Sequence, residues 1–108
     1  MAEDRRMSAE ARRARLAEID ALRARIDEID AALVRMLSDR ASCALAIGEA
    51  KRDLRLALYQ PAREKDVLDH VCGLNPGPLD DEAIRRLFER IIDEARRLER
   101  TAAIESED

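Results

Sequence analysis

The chain has 108 residues, of which 41% are charged and 46% hydrophobic, with a formal net charge of −4. This length suits one domain that is too small to bury a large core by itself, and the acidic balance argues against nucleic acid as a partner. No apolar run reaches the roughly 18 residues of a membrane-spanning helix, and the N-terminus lacks the apolar centre of a signal peptide, so we expect a cytoplasmic protein with no membrane partner.

An apolar seam predicts a long first helix. Its members recur at alternating steps of three and four residues: Leu16, Ile19, Leu22, Ile26, Ile29, Leu33 and Met36. The pattern continues without a proline to the neighbourhood of Asp53, which predicts one helix of about 35 to 40 residues, roughly 55 Å long. Such a helix is longer than a compact fold of this size. It therefore needs a second long element to pack against, and the same helix of another copy could be that element.

Two shorter helices are predicted to follow. Residues 54–60 alternate in character but have no partner strand, so we interpret them as a loop before Pro61, a favoured first helical residue. The second helix should end at the Asn75-Pro-Gly-Pro break, and the third should begin after Asp80 as its N-cap. The expected fold class is all-α, with one long, one short and one medium helix.

The ends of the chain are polar. We divide the sequence into a polar extension at 1–14 that is either helical or frayed, a helical domain at 15–101 and an acidic tail at 102–108. The first dozen residues and the tail after Arg100 are expected to fray.

Neither the cysteines nor the histidine form a recognisable site. Cys43 and Cys72 occur singly in apolar helical patterns, with no CxxC spacing and no clustered histidine, so we interpret them as buried free thiols and expect no metal site. His70 is the only histidine. No Ser or Cys pattern points to it, so we expect it on the surface without a catalytic role.

Several charged residues fall on the apolar faces. At about 100° per residue, Arg40 lies in the middle of the seam, and Lys51 follows only about 20° further round and roughly 16 Å along the helix. Glu99 projects from the apolar stripe of the third helix, and Glu64 lies over that of the second, with Arg63 beside it. Each alone could be a surface or snorkelling residue. Together they indicate a ligand, because unpaired charges out of water cost several kcal/mol and the gap between the two cations would hold a small dianion.

Three segments in order resemble the all-helical chorismate mutases. They are LRARIDEIDAALVRMLSDRASCALAIGEAK at 22–51, YQPAREKDVL at 59–68 and GPLDDEAIRRLFERIIDEARRLE at 77–99. The resemblance implies that the helical domain at 15–101 is a chorismate mutase domain. It also implies an intertwined homodimer that rearranges chorismate to prephenate in aromatic amino-acid biosynthesis, with no metal or organic cofactor. Family members occur alone or fused to other shikimate-pathway enzymes, so association with such an enzyme stays open.

The resemblance also implies a shared site for a dicarboxylate substrate. Arg40 and Arg23 of the partner subunit would clamp the two carboxylates, with Arg63 also lining the pocket. The helix geometry agrees with a contribution of Arg23 to the partner's site. Arg23 is about 25 Å and 100° from Arg40 on the same helix, which is too far for one small ligand, but it could reach the other site of an antiparallel pair.

The remaining roles follow from the same resemblance. Lys51 would bind a carboxylate and the ether oxygen, and Glu64 would accept from the ring hydroxyl. Glu99 stands where Gln or Glu donates to the ether oxygen. Gln60 stands at a position where family members frequently have Asp. Ala95 stands at a position where a small hydroxyl residue can contact the substrate.

Two alternatives stay open. The same fold could act on a related compound, as an isochorismate pyruvate lyase or a 4-amino-4-deoxychorismate mutase, and Gln60 is the feature that allows this. The chain could instead be a non-catalytic helical dimerisation or regulatory module, whose charged stripe residues only set the register.

Overall fold

The protein is described here by a computed structural model of residues 7–106, whose regular structure is entirely helical. The three helices are α1 (Ala9–Asp53), α2 (Pro61–Leu74) and α3 (Asp81–Ser106). The all-α prediction is confirmed, and residues 54–60 form a loop rather than a strand. The fraying expected of residues 1–6 and 107–108 lies outside the described residues.

Two helix ends differ from the prediction. α1 begins at Ala9, before the apolar seam that starts at Leu16, so the described part of the polar extension is mainly helical and not frayed. The Ser8 hydroxyl accepts a hydrogen bond from the Ala11 amide at 3.1 Å and so caps the helix. The residues between are mostly Ala, Arg and Glu, which favour helix without an apolar stripe. α3 continues past Arg100 to Ser106, so the expected fraying there is wrong as well.

The chain divides into two units. The first ends at Met36 and, in its described part, consists mainly of the N-terminal part of α1, where Leu22 is 60% exposed and Met36 67% exposed. The second begins at Leu37 and contains the remainder of α1 together with α2 and α3, of which α2 and α3 pack against each other.

The described single chain encloses no apolar core. Gly48 is its only buried residue, and no hydrophobic side chain among residues 7–106 is buried. Exposed large apolar side chains occur in both units, for example Ile26 at 54% and Leu87 at 54%. Contiguous exposed apolar area is characteristic of surfaces that bind a polypeptide, a membrane or a ligand.

α1 ends in a Schellman motif directly after Lys51 and Arg52. The Leu56 amide donates to the Lys51 carbonyl at 2.8 Å, and the Arg55 amide donates to the Arg52 carbonyl at 3.1 Å. Arg55 takes the left-handed position, with φ of 59°, where glycine is the usual residue. The motif therefore fixes the end of α1 at the cost of backbone strain in Arg55.

We expect Arg55→Gly to raise the free energy of unfolding by about 0.5–1 kcal/mol, because glycine adopts positive φ without the steric cost of a β-carbon. Chemical denaturation measures this difference. The matched control is Arg55→Ala, which removes the charge but keeps the β-carbon, and an equal gain in that variant would show that strain is not the cause.

Asn75 fixes the turn between α2 and α3. Its Nδ2 donates to the Leu79 carbonyl at 2.7 Å and to the Asp81 carboxylate at 2.9 Å, and its Oδ1 accepts from the Gly77 amide at 3.0 Å. The predicted N-cap of α3 is confirmed, since Asp80 Oδ1 accepts from the Ala83 amide at 2.8 Å. These bonds hold α2 beside α3 and so place their side chains on one cavity.

Candidate active site

A cavity of about 290 Å³ in the second unit is lined by side chains from α1, α2, α3 and the loop after α1, and all three helices contribute charged groups to it. Six of the predicted site residues line it: Arg40, Lys51, Gln60, Arg63, Glu64 and Glu99. The seventh, Arg23, is exposed on α1 in the first unit and does not line this cavity.

The rest of the cavity wall is mainly apolar. It is formed by Ala44, Ile47, Leu58, Val67, Ile92 and Ala95. Cys43 also lines the cavity and is exposed, so its prediction as a buried thiol is wrong for the single chain. A wall of this kind suits a ligand with an apolar ring between charged ends.

The ammonium group of Lys51 is held at the cavity by the backbone. Its Nζ donates to the Leu58 carbonyl at 3.3 Å, and the residue is half-buried. A lysine ammonium has three donors, so two remain for a ligand. The Schellman motif at the end of α1 turns the chain back and brings the Leu58 carbonyl to Lys51.

Glu99 approaches α1 closely where a glycine leaves room. A β-carbon at Gly48 would lie 3.5 Å from Glu99 Cγ and 3.8 Å from a methyl group of Leu58. These are ordinary contact distances, so alanine fits at this position, whereas a longer side chain would displace Glu99 from the cavity wall. A small residue at position 48 thus leaves room for Glu99 beside α1.

Two arginines line the cavity without a partner in the described chain. Arg40 is half-buried, Arg63 is exposed, and neither guanidinium group donates a hydrogen bond to residues 7–106. Guanidinium groups bind carboxylates through two parallel hydrogen bonds. Both are therefore free to bind an anion that enters the cavity.

Arg96 belongs to the cavity and was missed by sequence reasoning. It donates to the Glu64 carboxylate across α3 and α2, and its guanidinium lies over the Tyr59 ring, 4.8 Å from the centroid. On a helical wheel of α3, Arg96 flanks the apolar stripe, about 40° from Ile92. An arginine at such a position cannot be distinguished from a surface arginine by its spacing alone. The sequence carries no signal for its pairing with Glu64.

Positive charge exceeds negative charge around the cavity. The lining includes four cations (Arg40, Lys51, Arg63 and Arg96) and two carboxylates (Glu64 and Glu99). The bonded pair of Arg96 and Glu64 cancels in charge. What remains is three cations against Glu99, an arrangement that favours a dianionic guest.

Comparison with known proteins gives the family. A sequence model described as chorismate mutase type II matches residues 22–100. The chain belongs to this family. The match covers the residues that line the cavity as well as Arg23, and it begins after the N-terminal turns of α1.

Curated relatives are bifunctional proteins that include a chorismate mutase. The bifunctional chorismate mutase/prephenate dehydratase of Neisseria gonorrhoeae is 45% identical over 72 residues, which are 67% of this chain and 19% of that protein. The corresponding Pseudomonas aeruginosa protein is 39% identical over 62% of this chain and 20% of its own length. The chain therefore spans about a fifth of the length of these curated relatives.

This chain matches two solved chorismate mutase structures over almost their whole length. Form II of the chorismate mutase from Thermus thermophilus has a TM-score of 0.75 and 37% identity, over 77% of this chain and 94% of that one. Form I gives a TM-score of 0.71 at the same 37% identity, over 72% and 98% of the two chains. The fold is therefore that of the family.

Other features of the described chain lie apart from the cavity. His70 is exposed on α2 and is not among the cavity residues, so its predicted surface position is confirmed. Within residues 7–106 no group of three or more His, Cys, Asp or Glu side chains could hold a metal ion. None of the described helices combines the length and apolar character needed to cross a membrane.

Proposed function

We propose that this chain catalyses the rearrangement of chorismate to prephenate. The observation that carries the proposal is that six residues, expected from separate parts of the sequence, line one cavity with an excess of positive charge. Chorismate carries two carboxylates and a ring, which match the cations and the apolar wall of this cavity. Membership of the chorismate mutase type II family supports the same substrate.

The rearrangement needs no base, nucleophile or redox group. In one concerted step the ether carbon–oxygen bond to the ring breaks while a carbon–carbon bond forms, and no atom leaves the molecule. The protein has to hold the flexible substrate in its compact reactive conformation and stabilise negative charge that develops on the ether oxygen. A site built from cations suits this task.

We assign roles by position in the cavity and by resemblance to the family. Arg40 binds one carboxylate, and Lys51 binds a carboxylate and the ether oxygen. Glu64 accepts a hydrogen bond from the ring hydroxyl, and Glu99 in its protonated form donates to the ether oxygen. Arg63 adds positive charge to the cavity wall.

The proposal includes a homodimer in which each site takes Arg23 from the partner subunit. It is supported by the missing apolar core and by the exposed seam of α1, which includes Leu33 at 50% exposure. A second groove of about 420 Å³, lined largely by apolar residues such as Leu37, Ile91 and Leu98, adjoins the cavity at Arg40 and Ala95. A partner helix lying in this groove would bury apolar surface beside the site.

The relatives also suggest a working partner. The Neisseria and Pseudomonas proteins combine a chorismate mutase with a prephenate dehydratase in one chain. An enzyme that consumes prephenate is therefore the natural associate of this chain, either fused to it or docked on it.

Incubation of the purified protein with chorismate tests the function directly. We expect loss of chorismate and formation of prephenate, and Arg40→Ala should lose most of this activity while it remains folded. A non-catalytic module would leave chorismate unchanged, and Arg40→Ala would then alter only the stability of the dimer.

Gln60 favours one further comparison, because it lines the cavity where the family frequently has Asp. Isochorismate and 4-amino-4-deoxychorismate should therefore be incubated in parallel, with identification of the products. Faster conversion of either compound would identify that compound, rather than chorismate, as the substrate of the same site.

The role of Glu99 is tested by a permanent donor. Only a protonated carboxyl group donates a hydrogen bond, whereas the amide of Glu99→Gln is a donor at every pH. The kcat/KM of Glu99→Gln should therefore vary by less than about twofold between pH 5 and 8. Glu89→Gln, an exposed position on the same helix, is the control. Identical profiles for Glu99→Gln and the wild type would contradict this role.

A further inference from the structure

Arg96 joins three parts of the second unit at the cavity. Its backbone lies on α3, one turn before Glu99. Its guanidinium donates from Nη2 to Oε1 of Glu64 on α2 and stacks over the ring of Tyr59 in the loop after α1. It is thus in contact with a residue to which we assign substrate binding.

This ion pair differs from the other ion pairs of the described chain. The side chains of Arg96 and Glu64 are 33% and 27% exposed, and they lie on different helices. The three other pairs join residues three or four apart on one helix, with each side chain at least 48% exposed. Partial burial and two anchors give the Arg96 pair a more defined geometry than a surface ion pair has.

We propose that Arg96 is a positioning residue that holds Glu64 in place to receive the ring hydroxyl of the substrate, an inference that rests on the proposed function. Arg96 engages one oxygen of the carboxylate, Oε1. The other oxygen keeps its lone pairs for a donor in the cavity, since an ionised carboxylate can accept several hydrogen bonds.

The pair also protects the other cations from Glu64. Lys51, Arg40 and Arg63 line the same cavity and attract any carboxylate that is free to rotate. A Glu64 side chain that paired with one of them would neutralise a charge that the dianionic substrate needs. Because Glu64 is paired with Arg96, the remaining cations stay available to bind the substrate.

Tyr59 supports the guanidinium through its ring face. The separation of 4.8 Å from the ring centroid lies within the range of a cation–π contact. The phenol hydroxyl plays no part in this contact. Tyr59→Phe should therefore preserve the arrangement, and Tyr59→Leu should loosen it.

A double-mutant cycle tests the proposal. Wild type, Arg96→Ala, Glu64→Ala and the double variant are assayed for kcat and KM with chorismate. We expect Arg96→Ala to lower kcat/KM by about 10- to 50-fold in the wild-type background but by no more than about twofold when Glu64 is already alanine. An equal loss in both backgrounds, or no loss in either, overturns the proposal.

A second readout separates positioning from a purely structural role. Arg96→Ala should weaken a competitive inhibitor that has both carboxylates but no ring hydroxyl less than it weakens the hydroxyl-bearing analogue, because only the second inhibitor also loses its hydrogen bond to Glu64. Equal weakening of both analogues overturns the proposal.

Arg96→Lys and Tyr59→Leu provide the same cycle if Arg96→Ala does not fold. Both should lose activity with wild-type Glu64 and little more with Glu64→Ala, while Tyr59→Phe should stay within about twofold of wild type. An inactive wild type would refute the proposed function, whereas an active wild type with additive variants would refute only the role of Arg96.

Discussion

Lys51→Met is expected to lower kcat/KM for chorismate by about 10²- to 10³-fold, the usual effect of removing a preorganised donor to developing negative charge. The ammonium group is held by the Leu58 carbonyl at 3.3 Å and lines the cavity, so its loss removes a charge that is already in place. Methionine keeps the length and apolar character of the side chain. The initial rate of chorismate consumption measures the effect.

Lys65→Met is the matched control. Lys65 is exposed on α2, outside the cavity, and its hydrogen bond to Asp69 raises its pKa, so it is charged under the same assay conditions. The control loses the same charge from the protein and should keep the wild-type rate. Equal losses in the two variants would point to net charge rather than to the site.

Mixing Arg23→Ala and Arg40→Ala proteins is expected to restore activity that neither has alone. If each site uses Arg40 of one subunit and Arg23 of the other, a heterodimer has one intact site and one site with both defects. After random exchange the mixture should show about a quarter of the wild-type rate, because half of the dimers are heterodimers with one of two sites intact. Each single variant should be reduced by about 30-fold or more, as expected for loss of a charged contact to substrate.

Two controls accompany the mixing experiment. Arg23→Ala mixed with itself should gain nothing. Arg25→Ala, at a neighbouring exposed position on α1, should keep its activity without mixing. Recovery requires exchange of subunits, so sedimentation at assay concentrations should show a dimer. Absence of recovery in verified heterodimers would place Arg23 outside the site.

Helix positions followed largely from local pattern, and the misses have local causes. Pro61 and the Asn75–Pro78 break limit α2 because proline fixes φ and lacks an amide donor, which is a property of single residues. The start of α1 at Ala9 depended instead on a serine cap before a polar helical stretch. A search for apolar periodicity cannot detect such a start.

The candidate site was only partly accessible from the sequence. Arg40 and Lys51 share a face of α1 because the helical repeat fixes their directions, and the apolar stripes place Glu64 and Glu99 on inward faces. Arg96 is different. Its partners Glu64 and Tyr59 lie on another helix and a loop, so no repeat along α3 indicates that it points into the cavity.

The sequence by itself determined three helices, their approximate limits, the face on which each charge lies, and the resemblance to the chorismate mutases. These follow from backbone geometry and side-chain character, which act over a few residues. Only the tertiary structure decided which charges meet in one cavity, that Glu64 is held by Arg96, and that Gly48 admits Glu99 beside α1. Such contacts depend on how the α1 end, the loop and the α2–α3 pair approach one another in space, which no periodicity along a single helix encodes.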